Sequence, residues 1–166
     1  MTPQTPARAY VGLGGNLGDV RTTLAAALQA LNQIPQTNLR QYSKLYRTPA
    51  WGKTDQPSFL NAAAELITQL PPRALLEQLL SIEQRFGRSR DQDEKWGPRA
   101  LDLDLLAYEQ QTLDEPGLHL PHPHLHQRAF VLVPLAEIAG DFAVPGQGRV
   151  SDLLAAVDSS AIEALD

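Results

Sequence analysis

The chain contains no cysteine. Disulfide scaffolds, thiolate nucleophiles and cysteine-ligated zinc are thereby excluded, and any metal must be held by histidine or oxygen ligands. No apolar run approaches the roughly 18 residues that a membrane-spanning helix needs. The first ten residues, MTPQTPARAY, lack the apolar stretch of a secretory leader. Basic residues are in the minority: 14 Lys and Arg stand against 19 Asp and Glu, for a formal net charge of −5. That balance argues against a general nucleic-acid binder, whose affinity for phosphate backbones needs an excess of positive charge. No repeat of solenoid length and no low-complexity tract is present. What the chain does have is 43% hydrophobic and 20% charged residues over 166 positions. That is the make-up of one globular unit, able to bury about two-thirds of its unfolded surface. The expectation is a cytoplasmic protein with one domain over residues 1–166 and a loose start at residues 1–7.

Periodicity gives the order of elements. RAYVGLGGN reads as a short strand running into a glycine turn. Asp19 is placed to cap a helix whose Leu24, Leu28 and Leu31 share a face and which stops at Pro35. LRQYSKLYRT reads as a strand. FLNAAAELITQL is a clearer one, with Leu60, Ala62, Ala64, Leu66 and Leu70 on one face and Phe59 and Asn61 on the other. PPRALLEQLLSIEQRFG is a helix opened by prolines, striped by Leu75, Leu79, Ile82 and Phe86, and closed by Gly87. RSRDQDEKWGPR has no periodicity, and a loop of that length is usually functional. ALDLDLLAY is a strand. A His/Pro loop, PHPHLHQRAF, follows, then an apolar segment broken by Pro134 and a short helix, VSDLLAAVDS, capped by Ser151. The order β-α-β-β-α-β predicts an α+β, ferredoxin-like core: an antiparallel sheet with helices on one face, plus a C-terminal extension. The other face is then free to carry a site.

The stretch WGPRALDLDLL is the chemically informative one. Residues two apart in a strand point the same way, so Asp102 and Asp104 share a face while Leu101, Leu103 and Leu105 point to the core. At that spacing two carboxylates repel by about 2.5 kcal/mol at an effective dielectric near 20. A cation between them removes the cost, and a pair of this kind can hold one or two Mg²⁺ for phosphoryl transfer. The alternative is a polar face on an edge strand. Arg88, Arg90, Lys95 and Arg99 lie just upstream, and guanidinium groups bind phosphate oxygens bidentately. The bland reading of those cations is a solvated loop balanced by Asp91, Asp93 and Glu94. All four histidines lie between His119 and His126, so zinc has to be considered; the spacing lacks supporting carboxylates and the prolines constrain the loop, which weighs against it.

Taken together, GGN at 14–16, YRTPAWG with DQPSFLNAA at 46–63, GRSR at 87–90, WGPRALDLDLL at 96–106 and LPHP…RAFVLVPLAEIA from 120 resemble one enzyme family. That family is 6-hydroxymethyl-7,8-dihydropterin pyrophosphokinase, and the resemblance runs from about Tyr10 to Ala139. It implies a single pyrophosphokinase domain that moves the β,γ-pyrophosphate of ATP to the hydroxymethyl group of a reduced pterin, releasing AMP, in folate biosynthesis. It implies Asp102 and Asp104 as ligands of two Mg²⁺ ions, with Arg88 and Arg99 completing the catalytic set on the transferring phosphates. Glu83, Arg90, Trp96, Leu105, His122 and Arg128 fall on the nucleotide side, Trp96 also closing over both substrates. On the pterin side fall Thr48, Pro49, Trp51, Phe59, Asn61 and Phe130. A flat heterocycle wants aromatic faces and edge amides, and stacking of that kind is worth about 1–3 kcal/mol per ring. The implied partners are the two small molecules, with no nucleic acid and no membrane, and the chain is expected to act as a monomer.

Two other readings stay open at this level. A nucleotidyltransferase also uses a glycine turn and a D-x-D pair, although its turn usually lies close before the carboxylates. A ferredoxin-like module can bind single-stranded RNA through sheet-face aromatics, which the acidic balance opposes.

Overall fold

A computed structural model describes residues 5–48, 58–86 and 100–165. In chain order they form β1 (Ala7–Gly15), α1 (Val20–Asn32), β2 (Thr37–Tyr42), β3 (Tyr46–Thr48), β4 (Phe59–Thr68), α2 (Pro72–Arg85) and β5 (Asp102–Tyr108). There follow β6 (Leu113–Glu115) and β7 (Leu118–Leu120), a 3-10 turn at Leu125–Gln127, and α3 (Ala129–Ala139). The chain closes with β8 (Ala143–Val144), β9 (Gly148–Arg149), α4 (Val150–Ala155) and β10 (Glu163–Ala164). Among the described residues no helix is long and apolar enough to cross a membrane.

Local chemistry accounts for the helices. Asp19 caps α1 by accepting a hydrogen bond from the Thr22 amide at 3.3 Å, a device worth about 1 kcal/mol. Gly18 supplies the positive φ of 75° that turns the chain into that cap. Pro71 and Pro72 open α2, where missing N–H groups cost nothing. Leu24, Ala27 and Leu31 of α1 and Leu75, Leu79 and Ile82 of α2 form the buried stripes.

The main sheet has six strands in the order β10-β3-β4-β1-β5, with β2 also on β4, and every pair is antiparallel. Helices α1 and α2 cover one face over a core that includes Val11, Leu13, Ala64, Leu66, Leu103 and Leu105. The second face carries its own core, in which Tyr10, Ala63, Leu106 and Ala107 meet Leu132 and Leu135 of α3. Strand β5 serves both. Its partner register with β1 shifts between Tyr10 and Val11, and this bulge puts Leu106 and Ala107 together on the second face while Leu105 keeps to the first.

The details correct several expectations. The glycines of GLGGN lie inside β1, not in a turn after it. LRQYSKLYRT is two strands with a break at Ser43–Leu45, because the Ser43 hydroxyl accepts the Ala63 amide in place of a backbone carbonyl. Ala7, expected in a loose start, already belongs to β1. Leu70 lies beyond the end of β4 at Thr68. Pro134 does not break the apolar segment: α3 runs through it, losing one N–H while keeping Leu132 and Leu135 buried. Arg149, not Ser151, stands at the N-cap of α4. The second face is not wholly free, since α3 packs on part of it. Gly87 and the loop that follows it fall outside the described residues.

Candidate active site

Residues paired directly across strands point to the same face. The register therefore builds the site. Asp102 on β5 lies opposite Gly14 on β1. Gly14 lies opposite Asn61 on β4, and Asn61 lies opposite Tyr46 on β3. A second row sets Asp104 opposite Gly12, and Gly12 opposite Ala63. With neighbouring strands about 4.8 Å apart, Asn61 and Asp102 sit about 10 Å from each other across one bare glycine. The two aspartates, Asn61, Gly12, Gly14 and Phe130 line one cleft of about 340 Å³, open solvent included.

The glycines keep this space clear. A Cβ on Gly14 would stand 2.7 Å from Asn61 Oδ1 and 3.4 Å from the Leu60 carbonyl. Without it the Asn61 amide lies close against β1, and its Nδ2 donates to the Thr48 hydroxyl at 3.0 Å, both residues being buried. Thr48 in turn lies opposite Phe59, which shares a strand face with Asn61. Phe130, on the first turn of α3, enters the cleft from the other side. The Arg128 guanidinium lies over the Phe130 ring, 5.7 Å from its centroid, a cation–π contact worth about 0.5–1 kcal/mol at an exposed site.

His122 is anchored by its amide, which donates to the Leu106 carbonyl at 2.8 Å. Burial, followed by the Arg128 charge, pushes its pKa down to about 4, with Asp102 pulling the other way. The imidazole is thus neutral near pH 7. Its Nδ1 accepts the His124 amide at 3.2 Å, which leaves Nε2 as the nitrogen that carries the proton.

Two residues expected on the nucleotide side have buried side chains. Glu83 is 1% exposed, and its Oε2 accepts the Leu103 amide at 2.6 Å. It faces the β5 backbone between the two aspartates, not an open surface. Leu105 has its side chain in the core under α1 and α2, 5% exposed, so only its backbone remains for a ligand. His119 pairs with Asp114 at 2.7 Å across the β6–β7 hairpin. Among the described residues no group of three or more His, Asp or Glu side chains is disposed around a metal. Pro49, Trp51, Arg88, Arg90, Trp96 and Arg99 lie outside the described residues, as does Lys95.

Sequence reasoning missed Gly12, Leu13, Gly14, Ala62 and Val131 as cleft residues. For the glycines the signal was present. Two glycines at alternate positions of a strand leave one face bare, and GLGGN has that spacing.

The sequence profile of the 7,8-dihydro-6-hydroxymethylpterin-pyrophosphokinase family matches residues 10–140. The 2-amino-4-hydroxy-6-hydroxymethyldihydropteridine pyrophosphokinase of Methylorubrum extorquens is 48% identical over 159 residues, covering 96% of this chain and 99% of its own. The enzyme of the same name from Pseudomonas aeruginosa is 46% identical, covering 95% and 96%. Among solved structures, Plasmodium falciparum HPPK-DHPS crystallised with pteroate superposes with a TM-score of 0.73 at 12% identity. That alignment covers 93% of this chain and 45% of the longer one, so the chain spans less than half its length, and the likeness speaks for the fold alone. The matched profile extends over most of the chain and includes both carboxylates of β5, and on these grounds the chain belongs to the 7,8-dihydro-6-hydroxymethylpterin-pyrophosphokinase family.

Proposed function

We propose that the cleft on the second sheet face, between Asn61 and the acid pair, is where this chain carries out its family's reaction. The activity is transfer of pyrophosphate from ATP to the hydroxymethyl group of 6-hydroxymethyl-7,8-dihydropterin, a step of folate biosynthesis. ATP is the co-substrate. The bond that forms joins the pterin hydroxymethyl oxygen to the β-phosphorus; the bond that breaks is that from the β-phosphorus to the oxygen bridging it to the α-phosphorus, which leaves with AMP, and the hydroxyl proton passes to solvent.

The carrying observation is the row Asn61–Gly14–Asp102, which sets an amide and a carboxylate on either side of an empty strand position. On the β4 side, Asn61 offers hydrogen bonds to a heterocycle edge, with Phe59 and Phe130 as aromatic faces. Thr48 holds the amide in place. On the β5 side, the donor set suits magnesium: two hard carboxylate oxygens from one strand, half-buried and facing a cleft, with substrate phosphates left to complete the shell. Asp102 and Asp104 would hold the ions. Bound there, magnesium supplies charge neutralisation on the triphosphate. The protein's share is positioning, with little covalent work. Neutral His122 offers an N–H donor, and Arg128 a fixed positive charge, on the nucleotide side. Glu83 acts from beneath by fixing the Leu103 amide, and Leu105 is left with its backbone. Arg88, Arg90, Trp96 and Arg99 are assigned to the phosphates, and Pro49 and Trp51 to the pterin, on the family resemblance.

The same reading makes residues 1–166 one pyrophosphokinase domain. Its core, β1-α1-β2/β3-β4-α2-β5 with β1 central, is ferredoxin-like, and everything after β5 is the C-terminal extension. It acts as a monomer in the cytoplasm. The deciding experiment follows products from Mg²⁺-ATP with and without the pterin. Pterin-dependent AMP is the expected result; pyrophosphate release would point to nucleotidyl transfer, and ADP to an ordinary kinase.

A further inference from the structure

Strand β3 is only three residues long, yet it sets Tyr46 opposite Asn61 and Thr48 opposite Phe59. Its outer neighbour, β10, is two residues long. Something else has to fix it. The break at Ser43–Leu45 releases the Lys44 amide from the sheet ladder, and Glu137 of α3 takes it, accepting at 3.0 and 3.2 Å through its two carboxylate oxygens. Glu137 Oε1 also accepts the Tyr46 hydroxyl at 2.6 Å. This one carboxylate thus ties both the entry and the first residue of β3 to the last turn of α3. Burial together with this hydrogen bond raises the Tyr46 hydroxyl pKa to about 12, so the phenol stays a donor.

The same helix carries Phe130 at its first turn. Residues 130 and 137 are seven apart, two helical turns less about 20°, so they lie on one face about 10.5 Å from each other. Helix α3 therefore works as a ruler. One end places Phe130 in the cleft, and the other fixes β3, whose Thr48 hydroxyl accepts the Asn61 amide of β4. We infer that Glu137 is a positioning residue for the pterin side of the site, setting the distance between Phe130 and the Asn61–Thr48 pair without touching either substrate. The inference rests on the pterin reading above.

The test uses the whole chain. Glu137→Ala raises the pterin KM about tenfold, while kcat and the ATP KM stay within about twofold, the pattern of lost uniform binding. Glu137→Gln, which keeps an acceptor oxygen, recovers most of the loss. Tyr46→Phe reproduces part of it, and the double variant Glu137→Ala/Tyr46→Phe is no worse than Glu137→Ala alone, because both act through one contact. An unchanged pterin KM, or pterin and ATP KM rising together, overturns the inference. Should Glu137→Ala not fold, Tyr46→Phe decides by the same split. A second readout needs no turnover. The side-chain amide signal of Asn61 in a ¹H–¹⁵N spectrum, identified by its loss in Asn61→Ala, shifts in Glu137→Ala. An unmoved signal overturns the inference whatever the activity. If the unmodified chain releases no AMP with the pterin, the assigned activity fails, and the spectrum still decides the role of Glu137.

Discussion

At the scale of single residues, the acid pair and the glycines make different predictions. Asp102 and Asp104 point out of the core, so replacing either with Asn removes charge and leaves packing alone. Turnover should fall by at least about a hundredfold, as when a preorganised charge-stabilising group is lost. Far-UV circular dichroism should be unchanged, because neither side chain belongs to the core. A variant within tenfold of wild-type turnover would sink the assignment. Gly14→Ala acts by volume. Its Cβ meets Asn61 Oδ1 at 2.7 Å, and the atom that yields is the side-chain amide, which then leaves Thr48. One net hydrogen bond of about 1 kcal/mol is lost, and the pterin KM should rise about tenfold while the ATP KM holds, as steady-state kinetics would register.

At the scale of elements, α3 matters beyond its own length. Leu132 is fully buried against Tyr10, Ala63 and Leu106. Leu132→Ala should cost about 2–5 kcal/mol and loosen Phe130 with it. Denaturant titration should show the first effect and a raised pterin KM the second, whereas Leu79→Ala on the opposite face should show the first without the second. The sequence was least legible here. Leu75, Leu79 and Ile82 recur at helical spacing and declared α2; Asp102 and Asp104 alternate with leucines and declared β5. Helix α3 is apolar nearly all round, so it has no polar face to betray its period, and Pro134 argued for a break. Tertiary burial overrode that local preference. The bulge at Leu106, the Ser43 break and the hairpin Leu113–Leu120 likewise depend on partners far along the chain, and no local pattern encodes them. The pairing of Gly14 with both Asn61 and Asp102 was invisible for the same reason: alternation gives a face, but only register says who shares it.

At the scale of the whole molecule, the two cores leave one edge of the second face to polar groups, and that edge is sensitive to acid. The unfolded chain binds a proton at His122 below its ordinary value of 6.5, whereas the folded chain resists until about 4. Between those values the unfolded state holds more protons, so stability rises with pH across that window and is fully present above 6.5. His122→Gln should flatten the decline in urea midpoint between pH 6.5 and 4. An unchanged slope would mean that burial of the imidazole has no such cost.

The bare floor formed by Gly12 and Gly14 carries a consequence for anything designed to occupy the cleft. A compound resting on it meets only main chain, whose atoms no codon change can alter. At Gly14 even alanine would bring a Cβ to 2.7 Å from Asn61 Oδ1 and displace that amide. On the proposed reading of the cleft, escape from such an inhibitor would have to come through the walls, at Asn61, Phe130 or the acid pair, and would lower activity at the same time.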